Sequence, residues 1–268
     1  MKIAAYQMAG GNDYARNLRI CRHSASLAAQ ADAKLLLLPE AAMFLRAQES
    51  EATMTQSLDG EFVSLLADLS REYGLTIVAG MFEPAPQGRA FNTAVVLQAG
   101  RLLGTYRKLH LYDAFAVQES ERIAQGEDLP PVFDCEDITF GVMTCYDLRF
   151  PETARALAEQ GADVILLPAA WFAGADKEYH WQLLCAARAL ENGVYVLGAD
   201  MCGGNRIGHS LFVDALGMVR TQLGQEEGLL CAEVDKVHLA AARERLPMLK
   251  QRRFAIALNG GSANGAGH

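Results

Sequence analysis

Cys145 lies where an apolar run ends and a helix is about to begin. The stretch FGVMTCYDLRFPE, residues 140–152, turns polar at Tyr146-Asp147 and then reaches Pro151, a preferred first residue of a helix. A side chain at such a turn projects into a crevice, and the backbone N–H groups after it face an anion that forms there. The position favours a thiol nucleophile, although any single cysteine can instead be a buried core residue.

A thiol with an ordinary pKa of about 8.5 needs a base or a cation nearby to react at neutral pH. Glu40 ends the apolar run LLLLPE, where partial desolvation should raise its pKa toward that of a useful general base. Lys108 ends LLGTYRK, where its charge could lower the thiol pKa and stabilise an oxyanion. A solvated surface position remains open for both residues.

Histidine is the other base to consider. A papain-like pair would use one, and His110, His180 and His209 are available, but none lies in a matching local sequence. His110 follows Lys108 closely enough to support it. Glu119, within AVQESE, has the surroundings of a surface-loop carboxylate. The residues alone therefore make a Glu-Lys-Cys site plausible without making it specific.

The elements that must position these residues follow from the apolar pattern. Predicted helices cover residues 14–32, 60–73, 151–161, 178–192 and 235–246. Predicted strands cover residues 3–8, 35–40, 76–83, 91–98, 102–108, 138–145, 164–171, 194–200, 209–215 and 229–234. This order predicts an α/β layered domain with a mixed sheet and a hairpin-rich middle. Ligands bind beyond the carboxyl ends of strands in such sheets, which is where Glu40, Lys108, Cys145 and Trp171 fall.

Composition narrows the function classes. The chain has 268 residues, 51% of them hydrophobic and 21% charged, as in a well-packed globule. A formal charge of −8 excludes a broad basic footprint for nucleic acid. Its apolar runs are too short to span a membrane, and the N-terminus lacks the features of a secretory signal. Six cysteines without zinc spacing indicate reduced thiols in the cytoplasm.

Three blocks in order resemble the signature sequences of the nitrilase (carbon–nitrogen hydrolase) superfamily: LLLLPE with Glu40, YRKLHLYD with Lys108 and MTCYDLRFPE with Cys145. Residues 186–193 and 208–217 are also similar to family positions, so the likeness covers essentially the whole chain. The resemblance implies a four-layer α-β-β-α sandwich, extended to eight layers across a homodimer or higher homo-oligomer. It also implies hydrolysis of a small amide with neither a metal nor an organic cofactor.

The same resemblance implies a role for each residue. Cys145 is the nucleophile, Glu40 the base, and Lys108 the oxyanion partner together with the backbone N–H of Tyr146. Glu119 matches a family glutamate that orients Lys108 and the substrate. Glu40 would take the thiol proton, return it to the leaving amine and then activate water, which hydrolyses a thioester on Cys145.

Further segments are most similar to the bacterial branch that acts on deaminated glutathione; they cover residues 108–120, 167–181 and 245–255. That branch implies a metabolite-repair reaction that gives 2-oxoglutarate and cysteinylglycine. Amidases for 2-oxoglutaramate and other ω-amides share the core blocks, so an ω-amidase is the alternative. A thiol-redox or binding protein of the same fold is the non-enzyme alternative.

Substrate contacts are predicted for five residues: Tyr146, Arg149, Trp171, Phe115 and Tyr112. Arg149 could hold a keto-acid carboxylate in a bidentate manner, or it could pair with Glu152. Trp171 and Phe115 could be apolar pocket walls, or they could belong to the core.

No Pro- or Ser-rich linker divides the chain, so residues 1–258 are predicted to form one domain. The Gly-rich residues 259–268 are predicted to be a flexible tail.

Overall fold

The computed structural model describes residues 1–46, 52–115 and 117–256. The helices in this part of the chain are α1 (Tyr14–Gln30), α2 (Glu61–Tyr73), α3 (Pro151–Glu159), α4 (Lys177–Asn192), α5 (Lys236–Arg245) and α6 (Met248–Gln251). The strands are β1 (Lys2–Gln7), β2 (Leu35–Leu37), β3 (Thr76–Pro84), β4 (Ala90–Gln98), β5 (Arg101–Arg107), β6 (Asp113–Ala114), β7 (Val117–Gln118), β8 (Ile123–Ala124), β9 (Val132–Cys135), β10 (Ile138–Val142), β11 (Val164–Pro168), β12 (Tyr195–Ala199), β13 (Cys202–Gly203), β14 (Arg206–Ile207), β15 (Leu211–Val213), β16 (Val219–Gln222) and β17 (Gly228–Glu233). The predicted tail, residues 259–268, lies outside the described residues.

Two mixed sheets contain most of these strands. The first has the order β17-β1-β2-β3-β4-β5, with β8 paired to β4. Its strands β1, β2 and β3 are parallel, and β3, β4 and β5 form the predicted antiparallel hairpins. The second has the order β16-β15-β12-β11-β10-β9, with β10, β11 and β12 parallel. Parallel strands direct their carboxyl ends to one edge, so each sheet can contribute to a common crevice.

Alternation along the buried strands explains why their sequences are continuously apolar. In β2, Leu36 faces the core shared with α1 and α2, whereas Leu35 and Leu37 face the core between the two sheets. In β11, Leu166 faces the same inter-sheet core, and Leu167 faces the core under α3 and α4. Strands covered on both faces have no polar side. The resulting order is helix, sheet, sheet, helix, which confirms the predicted four-layer sandwich.

The helices begin and end with ordinary capping interactions. The Asp13 side chain accepts a hydrogen bond from the backbone N–H of Arg16 and caps α1. Gly74 and Gly193 occupy the left-handed conformation at the ends of α2 and α4. Gly161 lies one residue beyond the end of α3, where Gln160 is the cap.

Strand ends differ from the sequence prediction in a way that matters for the site. Strand β2 ends at Leu37 and β10 ends at Val142, several residues before Glu40 and Cys145. The residues in between keep backbone hydrogen bonds to the neighbouring strand, from the Leu38 N–H to the Val78 carbonyl and from the Met143 N–H to the Leu166 carbonyl, before the chain turns toward the crevice. Strands β9 and β16 were not predicted, because they are short and half-exposed and lack a clear apolar pattern. Within the described residues, no helix combines the length and the apolar character that a bilayer crossing needs.

Candidate active site

A cavity of about 570 Å³ opens at the carboxyl ends of the strands. Of the nine residues predicted from sequence, eight line it: Glu40, Lys108, Tyr112, Glu119, Cys145, Tyr146, Arg149 and Trp171. Phe115 is not part of the described lining. Its side chain is 71% exposed, and the Lys177 ammonium lies 3.7 Å from its ring centroid. The interpretation of Phe115 as a pocket wall is therefore not supported by its position.

The Lys108 ammonium is the centre of the site. Its Nζ lies 2.8 Å from Glu40 Oε1 and 2.9 Å from Glu119 Oε2. Asn92 Nδ2 donates to the same two carboxylates, at 2.8 Å to Glu40 and 3.2 Å to Glu119. Lys108 and Glu40 are buried, so each charge is stable there only because the others compensate it.

Backbone contacts hold the two sides of this ion pair. Glu40 Oε2 accepts a hydrogen bond from the backbone N–H of Ala170 at 2.9 Å, which links the end of β2 to the end of β11. A Cβ at Gly80 would lie 1.8 Å from the Glu40 carbonyl oxygen, so only glycine allows this close approach of β3. The backbone N–H of Lys108 donates to the Asn92 carbonyl at 2.9 Å.

Cys145 has a strained backbone conformation, with φ of +46°. Non-glycine residues rarely adopt positive φ, and functional sites are where such strain concentrates. The residue begins a 3-10 turn, Cys145–Arg149, which leads directly into α3. The predicted sharp turn between strand and helix is therefore present.

Asp147 fixes this turn. It is fully buried, and its Oδ2 accepts hydrogen bonds from the Thr144 backbone N–H at 2.9 Å and from the Tyr106 hydroxyl at 2.7 Å. Its Oδ1 lies 2.7 Å from His110 Nδ1. One carboxylate thus connects the segment before Cys145 with β5 and with the segment after Lys108.

The charges of the site set its protonation states. Burial raises the pKa of Cys145, and the neighbouring Glu40 charge raises it further, so it stands well above its ordinary value despite Lys108. Burial works against ionisation of Glu40, but Lys108, together with hydrogen bonds from Lys108, Cys145 and Asn92, keeps its pKa below the ordinary value. Burial likewise opposes the charge on Lys108, yet Glu119 and Glu40 raise its pKa well above normal.

Two expectations from sequence are corrected by these shifts. Desolvation was expected to raise the pKa of Glu40, and the direction is wrong because the Lys108 cation and the hydrogen bonds from Lys108, Cys145 and Asn92 together outweigh burial. Lys108 does lower the pKa of Cys145 as predicted, but burial and Glu40 outweigh it. The resting site therefore holds a neutral thiol, a carboxylate ready to accept its proton, and a charged ammonium.

Several further residues of the site were not found from sequence. Asn92 and Asp147 are polar residues next to apolar runs, a signal that could have been used. Lys177 and Arg206 line the cavity from α4 and from β14, and neither was given a role from sequence, although Lys177 lies within the similar segment 167–181. Histidine is absent from the described lining, so no papain-like base faces Cys145. Across the described part of the chain, no three or more His, Cys, Asp or Glu side chains group in a way that could hold a metal ion.

Comparison with known proteins assigns the class. Residues 2–244 match the carbon–nitrogen hydrolase family, and the chain belongs to that family. It is 41% identical over 257 residues to deaminated glutathione amidase of Escherichia coli O157:H7, covering 95% of this chain and 98% of the relative. It is 35% identical over 237 residues to omega-amidase NIT2-A of Xenopus laevis, covering 84% and 85% of the two chains.

Solved structures agree with this assignment. Saccharomyces cerevisiae Nit3, a member of branch 10 of the nitrilase superfamily, superposes with a TM-score of 0.85 at 29% identity, covering 95% of this chain and 97% of Nit3. A mutant amidase from Nesterenkonia sp. AN1 superposes with a TM-score of 0.79 at 29% identity, covering 92% and 98%, and carries a Michael adduct of acrylamide at its active-site cysteine. The chain is a nitrilase-type amidase, a hydrolase of carbon–nitrogen bonds in linear amides. This conclusion replaces the thiol-redox alternative.

Glu40 and Lys108 carry opposite charges beside the Cys145 thiol, so removing one or the other should change the reactivity of the thiol in opposite directions. Glu40→Gln removes a charge that raises the pKa of Cys145, so iodoacetamide should alkylate Cys145 about tenfold faster at pH 8. Lys108→Met removes the charge that lowers this pKa and should slow alkylation by a similar factor. Peptide mass spectrometry of Cys145 measures both rates in a Cys231→Ser background, which removes the exposed thiol. Changes of the same sign in both variants would contradict this electrostatic interpretation.

Proposed function

We propose that Cys145, Glu40, Lys108 and Glu119 hydrolyse an amide through a thioester intermediate. The Cys145 sulfur attacks the amide carbonyl carbon while Glu40, which accepts a hydrogen bond from the thiol, takes its proton. Lys108 and the backbone N–H of Tyr146 bind the oxyanion. The carbon–nitrogen bond then breaks, the leaving amine takes the proton from Glu40, and an acyl group remains on sulfur.

The second half of the reaction reverses these proton transfers. Glu40 removes a proton from water as the water oxygen attacks the thioester carbonyl, and the thiol leaves with that proton while the acid product forms. Contact between Lys108 and Glu40 couples the steps. As an oxyanion takes up part of the Lys108 charge, Glu40 loses part of its stabilisation, so its pKa rises at the moment when it must hold a proton.

We propose deaminated glutathione as the substrate. The observation that carries this assignment is Arg149, which lines the cavity and whose Nε and Nη2 atoms are buried without a hydrogen-bond partner. The alternative pairing with Glu152 is not formed. An unpaired buried guanidinium is costly until an anion binds it, and a keto-acid carboxylate gives it a bidentate partner. The 41% identity to a deaminated glutathione amidase supports the same substrate.

An ω-amidase remains the second candidate. The similarity to omega-amidase NIT2-A favours it, because 2-oxoglutaramate has the same 2-oxo acid end for Arg149. The two substrates differ in the group that leaves, which is cysteinylglycine in one and ammonia in the other.

Release of 2-oxoglutarate tests the proposal with both substrates in one assay. The wild-type protein should hydrolyse deaminated glutathione with a kcat/KM at least about tenfold above that for 2-oxoglutaramate, since the leaving peptide adds contacts. Cys145→Ala, which removes the nucleophile, should abolish both activities and serves as the blank. A preference for 2-oxoglutaramate would assign the ω-amidase function instead. Undiminished release by Cys145→Ala would contradict the thioester route.

We also propose that two copies pair through α4, which gives the eight-layer arrangement. Its outward face carries Tyr179, Leu183 and Leu190, which recur at helical spacing and are all exposed. Met218 is exposed in the turn whose Gly217 lies against Leu190. A contiguous apolar surface of this kind is typical of an interface, and a second copy is the partner that the family resemblance implies.

A charge in this face should separate the subunits. Leu183 is 48% exposed, and Leu183→Glu should convert a dimer to a monomer in light scattering coupled to size-exclusion chromatography, because it buries a carboxylate at the interface. Leu129→Glu is the matched control, since Leu129 is 46% exposed in a loop away from α4. A wild-type monomer, or an unchanged mass for Leu183→Glu, would contradict this interface.

Two further parts of the proposal concern the whole chain. We propose that residues 1–258 act as a single carbon–nitrogen hydrolase domain, supported by the family match over residues 2–244. We also propose a cytoplasmic location, where the six free cysteines of the chain would stay reduced.

A further inference from the structure

A second guanidinium faces the same cavity without an anionic partner. Arg206 lines the cavity, and its Nε–H is buried and donates no hydrogen bond within the described residues. Its Nη1 donates to the carbonyl of the adjacent Asn205 at 2.9 Å. No carboxylate in the described part of the chain lies within ion-pair distance of it. Arg206 is therefore a mostly desolvated cation that lacks a charge-assisted partner.

Packing holds this guanidinium in a fixed place. Its Cζ lies 4.0 Å from the centroid of the Phe172 ring, and a bridge connects the backbone of Phe172 to that of Arg206. Arg206 belongs to the two-stranded ribbon of β13 and β14, whose exposed turn places it at the rim of the cavity. A cation stacked on an aromatic ring loses little freedom when a ligand arrives.

Asp200 offers an alternative explanation for the position of Arg206. Its charge interacts with that of Arg206, so Arg206 could serve only to balance a buried carboxylate. The Asp200 Oδ1 atom, however, accepts hydrogen bonds from the backbone N–H groups of Trp171 at 2.7 Å and Met201 at 2.8 Å. The other oxygen, Oδ2, is buried without a hydrogen-bond partner, and no ion pair joins Asp200 to Arg206 within the described residues, so this carboxylate does not take up the Arg206 donors.

Lys177 also lies at the rim of the cavity. Its Nζ donates to the Tyr112 hydroxyl at 3.0 Å, and the Tyr112 ring stacks on Phe172 with centroids 5.6 Å apart. Arg206 and Lys177 thus flank one aromatic pair, and neither has a carboxylate partner within the described residues. Arg149 belongs instead to the turn that starts at Cys145. Among the cations that line the cavity, Arg149 therefore lies on the turn that starts at Cys145, and Arg206 and Lys177 form a separate pair beside the aromatic rings.

We propose that Arg206, assisted by Lys177, binds a carboxylate on the leaving-amine side of the substrate, so that the site selects amides with a carboxylate at each end. This inference rests on the proposed amidase function and adds its substrate class. Arg149 takes the carboxylate of the acyl part, and the scissile amide lies between the two at Cys145. In a chain of net charge −8, a doubly anionic substrate needs such local cations.

Paired ligands test the subsite without requiring turnover. Calorimetry with Cys145→Ala compares deaminated glutathione with its analogue in which the glycine carboxylate is a carboxamide. The free carboxylate should bind about 10- to 100-fold more tightly, the range expected for a hydrogen-bonded ion pair in a partly buried site. Adding Arg206→Gln should reduce that ratio to about one, and Arg206→Lys should keep part of it, because lysine retains the charge without the fork.

The comparison of the two ligands distinguishes a failure of the Arg206 subsite from a failure of the proposed amidase reaction. Equal affinity for both ligands in Cys145→Ala, or a ratio that Arg206→Gln leaves unchanged, would overturn the subsite whatever the turnover. If wild-type protein releases no 2-oxoglutarate but Cys145→Ala still discriminates through Arg206, the subsite holds and the proposed reaction fails. The ratio compares the affinities of one variant for the two ligands. A general loss of binding would weaken both ligands alike and leave this ratio unchanged.

Discussion

The buried Lys108 ammonium and its two carboxylates are the interaction on which the rest of the site depends. The Lys108 charge helps to keep Glu40 ionised, whereas burial and the Glu40 charge keep Cys145 protonated. Removing Lys108 would leave Glu40 and Glu119 without their buried counter-charge, at a cost of about 3–5 kcal/mol. The same contacts have a structural effect, since Glu119 Oε2 also accepts a hydrogen bond from the Tyr112 backbone N–H at 2.6 Å. Charge balance and loop position are therefore set together.

The four-layer sandwich matters because neither sheet builds the site alone. Glu40, Lys108 and Asn92 come from the first sheet or its strand ends, whereas Cys145 and the Ala170 N–H come from the second. The inter-sheet core fixes the distance between these two groups. Asp147 provides a second connection, from the nucleophile turn to Tyr106 on β5 and to His110. A close-packed interior transmits displacement rather than absorbing it, so core substitutions remote from the cavity should affect turnover as well as stability.

Sequence reasoning succeeds for residues that have a reactive side chain and also follow an apolar run. Glu40, Lys108 and Cys145 each follow an apolar run, and the rule for strand ends brings them to one edge. Sequence reasoning fails for properties that depend on contacts between residues far apart in the sequence. The pKa of Glu40 was predicted in the wrong direction because burial can be inferred from four neighbouring leucines, whereas the hydrogen-bond donors that together outweigh burial are distant in sequence, and Lys108 lies 68 residues away. Arg206 was missed because β14 is only two residues long and carries no periodic signal. Phe115 has an apolar side chain suited to a wall, yet nothing in its sequence reports that the loop turns it outward.

The most direct test of the central interaction is the kcat of Lys108→Met for 2-oxoglutarate release from deaminated glutathione. Circular dichroism first establishes that the variant is folded. An oxyanion held by Lys108 predicts that kcat falls by about two to three orders of magnitude. A folded Lys108→Met protein with a kcat within about threefold of wild type would contradict that role, because so small a change is well under 1 kcal/mol of transition-state stabilisation.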